Sequence, residues 1–259
     1  MVNEGDVSLR ATSFGSAAED YARYRPAPPP EAADWALRRH WDLAIDVGAG
    51  TGNLTRYMAA RSNRVVAVDL DVRMLTALGR RLPDAKRVVA RGEVLPFRTG
   101  AAGAVAISSA WHWLDPDLAW PELARVIRPG GVLSVLWSNP DREVPWVAEV
   151  LGHRRVDGKE KGDDEKDARG RRRHIDVPLH IPFSRPERRV FLATVPFAVA
   201  DMPGLAASYS GIRVLPEDER LSVMRDVASR AAARPELAGP TVDLPLRCLV
   251  WRAIRSIPT

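Results

Sequence analysis

The chain has 259 residues, a formal net charge of +5 and a single cysteine, Cys248. This length allows a sizeable core, and one cysteine excludes an internal disulfide and a cysteine-rich zinc site. No apolar run of the sequence approaches the roughly 20 residues that span a bilayer, and the first residues lack the basic start and apolar core of a signal peptide. We therefore expect a cytoplasmic protein with no membrane segment.

Prolines divide the amino-terminal segment into two predicted helices. Residues 14–26 favour a short helix that stops before Pro26, and Pro30 is placed to begin a second helix that runs to Arg39. The next feature is an apolar run, residues 43–47, which is typical of a strand buried on both faces of a parallel sheet.

A glycine-rich turn follows that strand. Gly48, Gly50 and Gly52 stand at alternate positions, and the apolar residues after them have the spacing of one helix face. Glycine permits positive φ angles and a close approach of a ligand to the backbone. The free N–H groups at the start of the helix then face that ligand.

The spacing of the turn distinguishes two classes of nucleotide ligand. A dinucleotide fingerprint reads G-x-G-x-x-G, whereas here Asn53 stands at the position of the last glycine. Asp46, at the end of the strand, would repel a pyrophosphate but suits a ligand that carries an ammonium group. The stretch Asp46-Val-Gly-Ala-Gly-Thr-Gly52 resembles motif I of class I S-adenosylmethionine-dependent methyltransferases. The resemblance implies that the methionine part of the cofactor lies against Asp46, Gly48, Ala49, Gly50, Thr51 and Gly52.

The predicted second and third strands add further cofactor contacts. Residues 64–69 end in Asp69, and an acid at a strand end about twenty residues after a glycine loop can accept both ribose hydroxyls. The resemblance places Leu70 beside the adenine. In residues 87–97 the family usually shows Gly-Asp-Ala-Glu-x-Leu-Pro, but Arg91 replaces the aspartate here. A backbone contact at Gly92 or Glu93 is still expected, and Glu93 is otherwise a simple turn residue.

The fourth strand, residues 103–109, leads into the stretch where a methyl acceptor is expected. Methyltransferases that act on nucleic-acid bases usually carry an Asn/Asp-Pro-Pro-aromatic signature here, which Ser109-Ala-Trp-His112 does not match. The pattern Ala-aromatic-His-Trp instead resembles the type-11 subgroup, whose acceptors are mostly small molecules. We expect Ser109 at the cofactor and Trp111 and Trp113 in the acceptor pocket. His112 is interpreted either as a general base or as a structural histidine between the two tryptophans.

The remaining strands and helices complete the predicted sheet. The fifth strand spans residues 132–137 after Arg128-Pro-Gly-Gly131, with Asn139 bordering the acceptor pocket. Residues 153–174 alternate basic and acidic side chains and predict a mobile loop. Tyr209 is a further pocket candidate. The other predicted elements are a helix at 144–151, a strand at 189–195, a helix from Pro216 and a last, antiparallel strand at 241–252.

The resemblance implies an α/β fold, a doubly wound, seven-stranded, mostly parallel Rossmann-like sheet with an amino-terminal helical lid. The lid contains Tyr21, Tyr24 and Arg25. These side chains either contact the ligand or pack the segment against the core. We expect a single methyltransferase domain over residues 1–259, composed of the lid (1–40), the cofactor-binding core (41–137), the charged loop (153–174) and the carboxy-terminal strands and helices (175–259).

The function implied is methyl transfer from S-adenosyl-L-methionine to a small-molecule acceptor by in-line displacement, with no metal site. Two alternatives stay open. One is an RNA methyltransferase that uses the basic loop, although the dispersed charge does not favour nucleic acid as a partner. The other is a non-catalytic protein that binds S-adenosylmethionine.

Overall fold

The computed structural model describes residues 18–152 and 175–257. The predicted charged loop, 153–174, lies outside the described residues. Within them, none of the helices combines the length and the apolarity that crossing a bilayer requires.

Among the described residues, seven strands form one sheet in the order β3-β2-β1-β4-β5-β7-β6. Pairs β1–β2, β1–β4, β2–β3 and β4–β5 are parallel. Arg255, directly after β7, exchanges backbone hydrogen bonds in both directions with Gly130 and Gly131 of β5, which is the pattern of an antiparallel pair. The predicted doubly wound, mostly parallel sheet is confirmed. The strands are β1 (Trp41–Val47), β2 (Ser62–Asp69), β3 (Lys86–Val89), β4 (Ala102–Ser108), β5 (Ile127–Pro140), β6 (Glu187–Ala198) and β7 (Thr241–Ile254).

Two of the described α-helices begin at an aspartate that caps them. Asp71 accepts a hydrogen bond from the backbone N–H of Arg73 at the start of α4, and Asp115 accepts one from Asp117 at the start of α5. The described helices are α1 (Ala18–Tyr24), α2 (Pro30–Leu37), α3 (Thr55–Ala59), α4 (Val72–Arg81), α5 (Pro116–Val126), α6 (Pro145–Leu151), α7 (Met202–Ala207), α8 (Ser210–Arg213) and α9 (Glu217–Ala232).

The chain divides into two compact units. The larger unit comprises Ala27–Ser138, Ile175–Phe191 and Cys248–Thr259, and the smaller unit comprises Met1–Pro26, Asn139–His174 and Leu192–Arg247. The expectation of a single domain stays a prediction.

Two apolar clusters form the core of the larger unit. Along β4, Val105 and Ile107 belong to one cluster, while Ala104 and Ala106 belong to the other. Because successive strand residues point to opposite faces, the sheet is covered on both sides, as its continuous apolar strands predict. Cys248 is buried in the second cluster, and burial raises the pKa of its thiol to about 12. The thiol therefore stays protonated and unreactive near neutral pH.

The core of the smaller unit is built from helix α7 and the sides of α6 and α9. Met202, Leu205 and Val227 are fully buried in it, together with Leu244 at the start of β7. A single apolar cluster thus supports the short helices that carry Tyr209.

Candidate active site

The loop between β1 and α3 depends on glycine for both conformation and space. Gly48, Gly50 and Gly52 have φ angles of 68°, 54° and 88°, which L side chains rarely adopt. A Cβ atom on Gly48 would also overlap the Cβ of Ala110, and one on Gly52 would lie 2.9 Å from Cγ of Leu78. The loop therefore packs closely against Ala110, just after β4, and against helix α4.

Asp46 is completely buried beneath this loop. Its Oδ2 accepts a 2.6 Å hydrogen bond from Oγ1 of Thr55, whereas Oδ1 has no hydrogen-bond partner among the residues that the structure describes. Burial raises the pKa of the carboxyl to about 7, helped by the charge of Asp69 and opposed by the Thr55 hydroxyl. An unsatisfied buried oxygen is costly, so a ligand that brings a positive charge or a donor stabilises this site.

Asp69 ends β2 next to the loop, because Val47 and Val68 are in register in the parallel pair β1–β2. Its Oδ2 accepts from the backbone N–H of Gly50 at 2.8 Å, and its Oδ1 accepts from that of Asp71 at 2.9 Å. Burial raises the pKa of this carboxyl. A carboxylate offers about four lone-pair positions, so Asp69 keeps acceptor capacity for a ligand hydroxyl.

The turn after β3 is closely packed. A Cβ on Gly92 would lie 2.7 Å from Leu114 and 2.9 Å from Val47, so its backbone approaches the end of β1. Glu93 is buried, and its Oε1 accepts from the backbone N–H of Asp115 at 3.0 Å. Leu70, in contrast, is 47% exposed. Its apolar surface is available to a flat ligand, whereas the Glu93 side chain is already used to hold the turn before α5.

The stretch after β4 brings together the predicted acceptor residues of the larger unit. Ser109 has a φ of 55°, and its N–H donates to the carbonyl oxygen of Leu136 at 2.7 Å. Trp111 is buried edge-on against Trp120, with the ring centroids 5.1 Å apart. The His112 ring lies 4.5 Å from the Trp113 ring, and both are half-buried. Trp111 is thus part of the core, while His112 and Trp113 reach the surface.

Three predicted residues, Tyr21, Asn139 and Tyr209, belong to the smaller unit. All three are half-buried. Within that unit, the Tyr209 ring lies 4.0 Å from the guanidinium carbon of Arg25. Their roles toward a cofactor or an acceptor stay predictions.

Comparison with known proteins shows the family of this chain. Residues 45–135 match the type-11 model of a methyltransferase domain. An uncharacterized methyltransferase of Mycobacterium tuberculosis (strain H37Rv) is 37% identical over 233 residues, which cover 90% of each chain. The chain belongs to the methyltransferase family. An uncharacterized methyltransferase of Schizosaccharomyces pombe is 28% identical over 217 residues, covering 80% of this chain and 82% of the relative.

Solved structures share the fold of this methyltransferase. A putative type II methyltransferase from Anaeromyxobacter dehalogenans aligns with a TM-score of 0.61 at 22% identity and covers 91% of this chain and 100% of that chain. A phosphoethanolamine N-methyltransferase of Haemonchus contortus, in complex with S-adenosylhomocysteine, aligns with a TM-score of 0.55 at 13% identity, covering 99% of this chain and 61% of that chain. The protein is a class I S-adenosylmethionine-dependent methyltransferase.

The residues of the loop fit S-adenosyl-L-methionine, the cofactor of this methyltransferase. The unsatisfied Oδ1 of Asp46 suits a ligand with a positively charged group, and Asp69 retains acceptor capacity for the ribose. The individual contacts predicted from the motif are consistent with this geometry and stay predictions. Among the described residues, no group of three or more His, Cys, Asp or Glu side chains is placed to hold a metal ion.

One residue that braces the loop was not predicted from the sequence. Arg81, in the last turn of α4, donates from Nη1 to the carbonyl oxygen of Thr51 at 3.0 Å and to Oδ1 of Asn53 at 3.2 Å. Its partners lie about thirty residues away in the chain, so no local spacing indicates them. A basic residue at a helix C-terminus is ordinarily explained by the helix dipole alone.

We expect Arg81→Met to weaken S-adenosylmethionine binding by roughly tenfold, because the loop loses two side-chain hydrogen bonds that fix its shape. Isothermal titration calorimetry measures the affinity, and Arg80→Met, on the same exposed helix end, is the matched control. Equal affinities in the two variants would show that Arg81 does not position the loop.

Proposed function

We propose that this methyltransferase acts on a small-molecule acceptor by in-line displacement. The observation that carries the proposal is the composition of the turn after β4. It offers a half-buried histidine beside a tryptophan ring, His112 and Trp113, where base-modifying methyltransferases place an Asn/Asp-Pro-Pro-aromatic segment. An aromatic surface next to a titratable group suits a compact organic molecule.

The cofactor supplies a methyl group already activated by its sulfonium. The chain therefore has to hold the acceptor atom in line with that methyl group and exclude water. Positioning of this kind contributes roughly 7–11 kcal/mol in well-oriented cases. In the proposed mechanism the glycine loop, Asp46 and Asp69 would hold the cofactor, and the hydrogen bond from the Ser109 N–H to the carbonyl oxygen of Leu136 holds the turn that leads to His112.

His112 is the proposed general base. An acceptor hydroxyl loses its proton as its oxygen forms the new bond to carbon, and an ammonium group must lose a proton before its nitrogen has a lone pair to form that bond. An imidazole titrates near physiological pH and can take that proton. The neighbouring ring of Trp113 limits the orientations of the imidazole.

For His112→Gln we expect kcat to fall by roughly 10²–10⁴-fold with the affinity for S-adenosylmethionine unchanged, because a general base acts on the acceptor and not on the cofactor. The activity that remains should also lose the pH dependence contributed by the imidazole. His40→Gln, at an exposed position ahead of β1, is the control. If kcat and its pH profile are the same in His112→Gln as in the parent, the histidine is structural.

The acceptor class is tested by incubating the purified protein with S-adenosylmethionine and a fractionated small-molecule extract, and following S-adenosylhomocysteine and newly methylated products by mass spectrometry. One curated relative, 31% identical over 133 residues that cover about half of each chain, is a malonyl-[acyl-carrier protein] O-methyltransferase of Enterobacter lignolyticus. Free and thioester-linked carboxylic acids should therefore be among the acceptors that are tested. Turnover that is confined to RNA and is lost at high salt would favour the RNA alternative.

A further inference from the structure

Thr55 is a buried threonine whose hydroxyl is bonded to Asp46. It is the first residue of helix α3 and is completely buried. Its Oγ1 donates to Oδ2 of Asp46 at 2.6 Å, a length typical of a hydrogen bond from a hydroxyl to an ionised carboxylate. A hydroxyl has a single hydrogen to donate, so this hydrogen bond fixes the orientation of both side chains.

The charges around Asp46 do not favour an ionised carboxylate. Burial raises its pKa most, and the charge of Asp69, at the end of the neighbouring strand β2, also raises it. The other charged residues of β2 and α3, Arg64 and Arg56, have exposed side chains, and β4 on the other side of β1 carries no charged residue. Within the described part of the chain, both contributions that lower this pKa come from Thr55, first its hydroxyl and then its backbone N–H.

The hydroxyl is important because Asp46 is the group expected to attract the positive charge of the cofactor. Among the described residues Oδ1 of Asp46 has no hydrogen-bond partner, so Thr55 supplies the side-chain donor that holds this carboxylate. A hydrogen bond to the charged form of an acid stabilises that form. Without the hydroxyl, a larger fraction of the carboxyl would be protonated and neutral near physiological pH.

We propose that Thr55 is a positioning residue of the cofactor site, which holds the buried carboxylate of Asp46 in place as the counter-charge of S-adenosylmethionine. Thr55 acts through Asp46 and needs no contact of its own with the cofactor. The proposal rests on the role given to Asp46, and variants at the two positions distinguish a failure of one role from a failure of the other.

Thr55→Val tests the hydroxyl, since valine has nearly the same shape and keeps the backbone N–H. Calorimetric titration of the full-length protein with S-adenosylmethionine between pH 6 and pH 8 measures the effect. We expect an affinity lower than that of the parent by roughly tenfold at pH 6, and by less at pH 8, where more of the variant's carboxyl is ionised. Thr55→Ser retains the hydroxyl and should follow the parent at every pH. Thr76→Val, which removes an exposed hydroxyl that donates to the carbonyl oxygen of Val72, is the control.

A double-variant cycle shows whether the hydroxyl acts through the carboxylate. In Asp46→Asn no ionisable group remains at this position, so adding Thr55→Val should change the affinity for S-adenosylmethionine by less than about twofold. Thr55→Ala also removes the hydroxyl and cannot crowd its neighbours. It replaces Thr55→Val in the same titrations if the melting transition shows that the valine variant does not fold.

An affinity in Thr55→Val equal to that of the parent at pH 6, an equal loss in Thr55→Val and Thr55→Ser, or a loss that is the same at pH 6 and pH 8 would each overturn the proposal. So would a loss as large in the Asp46→Asn background as in the parent. If Asp46→Asn weakens binding and Thr55→Val does not, only the role of Thr55 is wrong. Normal affinity in Asp46→Asn would remove the role of Asp46 and that of Thr55 with it.

Discussion

Replacing Asp46 with asparagine is expected to weaken S-adenosylmethionine binding by roughly a hundredfold or more, because a buried cationic ligand then loses its counter-charge. The substitution keeps the size of the side chain and an oxygen that can accept from Thr55, so the fold should survive. Calorimetric titration at pH 8 measures the loss. Asp42→Asn is the matched control, since Asp42 lies in the same strand with an exposed side chain.

The same variant should be more stable than the parent in the absence of ligand. Burial raises the pKa of Asp46 from 3.8 to about 7, so the folded protein binds more protons than the unfolded chain between these values. The stability that this group contributes is therefore complete below about pH 4 and is lost as the pH rises through 7. The loss amounts to at most roughly 4 kcal/mol. The Asp46→Asn variant has no ionisable group at this position and should not show this loss. Its melting temperature should therefore exceed that of the parent near pH 7, and the difference should shrink as the pH is lowered toward 4.

Ligand binding should show the opposite dependence on pH. Since the ionised carboxylate is the form that attracts a cation, the affinity of the parent for S-adenosylmethionine should rise as the pH increases through about 7 and then level off. The Asp46→Asn variant should not show this rise. A parent affinity that is independent of pH between 6 and 8, or normal affinity in Asp46→Asn, would contradict the role given to Asp46.

The second large effect is expected at Gly48. Gly48→Ala combines a left-handed backbone, which costs about 1–3 kcal/mol for a residue with a side chain, with an overlap between its new Cβ and that of Ala110. Relief of the overlap has to move the loop away from the end of β4. We therefore expect a melting temperature lower by several degrees and an affinity for the cofactor reduced by roughly tenfold or more.

Gly211→Ala provides the comparison for Gly48→Ala. Gly211 lies in helix α8, and a Cβ there meets nothing within 4 Å. Alanine favours a helix over glycine by about 1 kcal/mol, so this variant should be unchanged or slightly more stable, with normal cofactor affinity. If both variants behave alike, the tight packing of the loop on Ala110 is not a requirement.

The cofactor-binding half of the fold could be predicted from the sequence because its signals are local. The apolar run of β1, the alternate glycines and Asp69 at the end of β2 each follow from short-range rules on burial, positive φ and strand ends. The seven-stranded sheet came from the family resemblance that these residues carry. Helix caps such as Asp71 are also local features.

Contacts between distant segments could not be predicted in this way. Strand β5 extends from residue 127 to residue 140, whereas the apolar pattern predicts residues 132–137. At its amino-terminal end the strand is extended because Ile127 pairs with Ala102 of β4, and Gly130 and Gly131 hydrogen-bond to Arg255, which is remote in the sequence. In the smaller unit the guanidinium groups of Arg25 and Arg142 likewise lie near the ring of Tyr209, although no periodicity relates these three positions.

The central claim, that the loop from Asp46 to Gly52 binds S-adenosylmethionine, is tested most directly by the melting temperature of the purified protein with S-adenosylmethionine, S-adenosylhomocysteine and NAD in turn. A ligand present at 100 times its dissociation constant that binds only the folded state adds about 2.7 kcal/mol, a rise of roughly 5–10 °C for a protein of this size. We expect that rise with the first two ligands and none with NAD. No rise with either adenosyl ligand, or a rise with NAD, would contradict the account of the loop and of every cofactor contact derived from it.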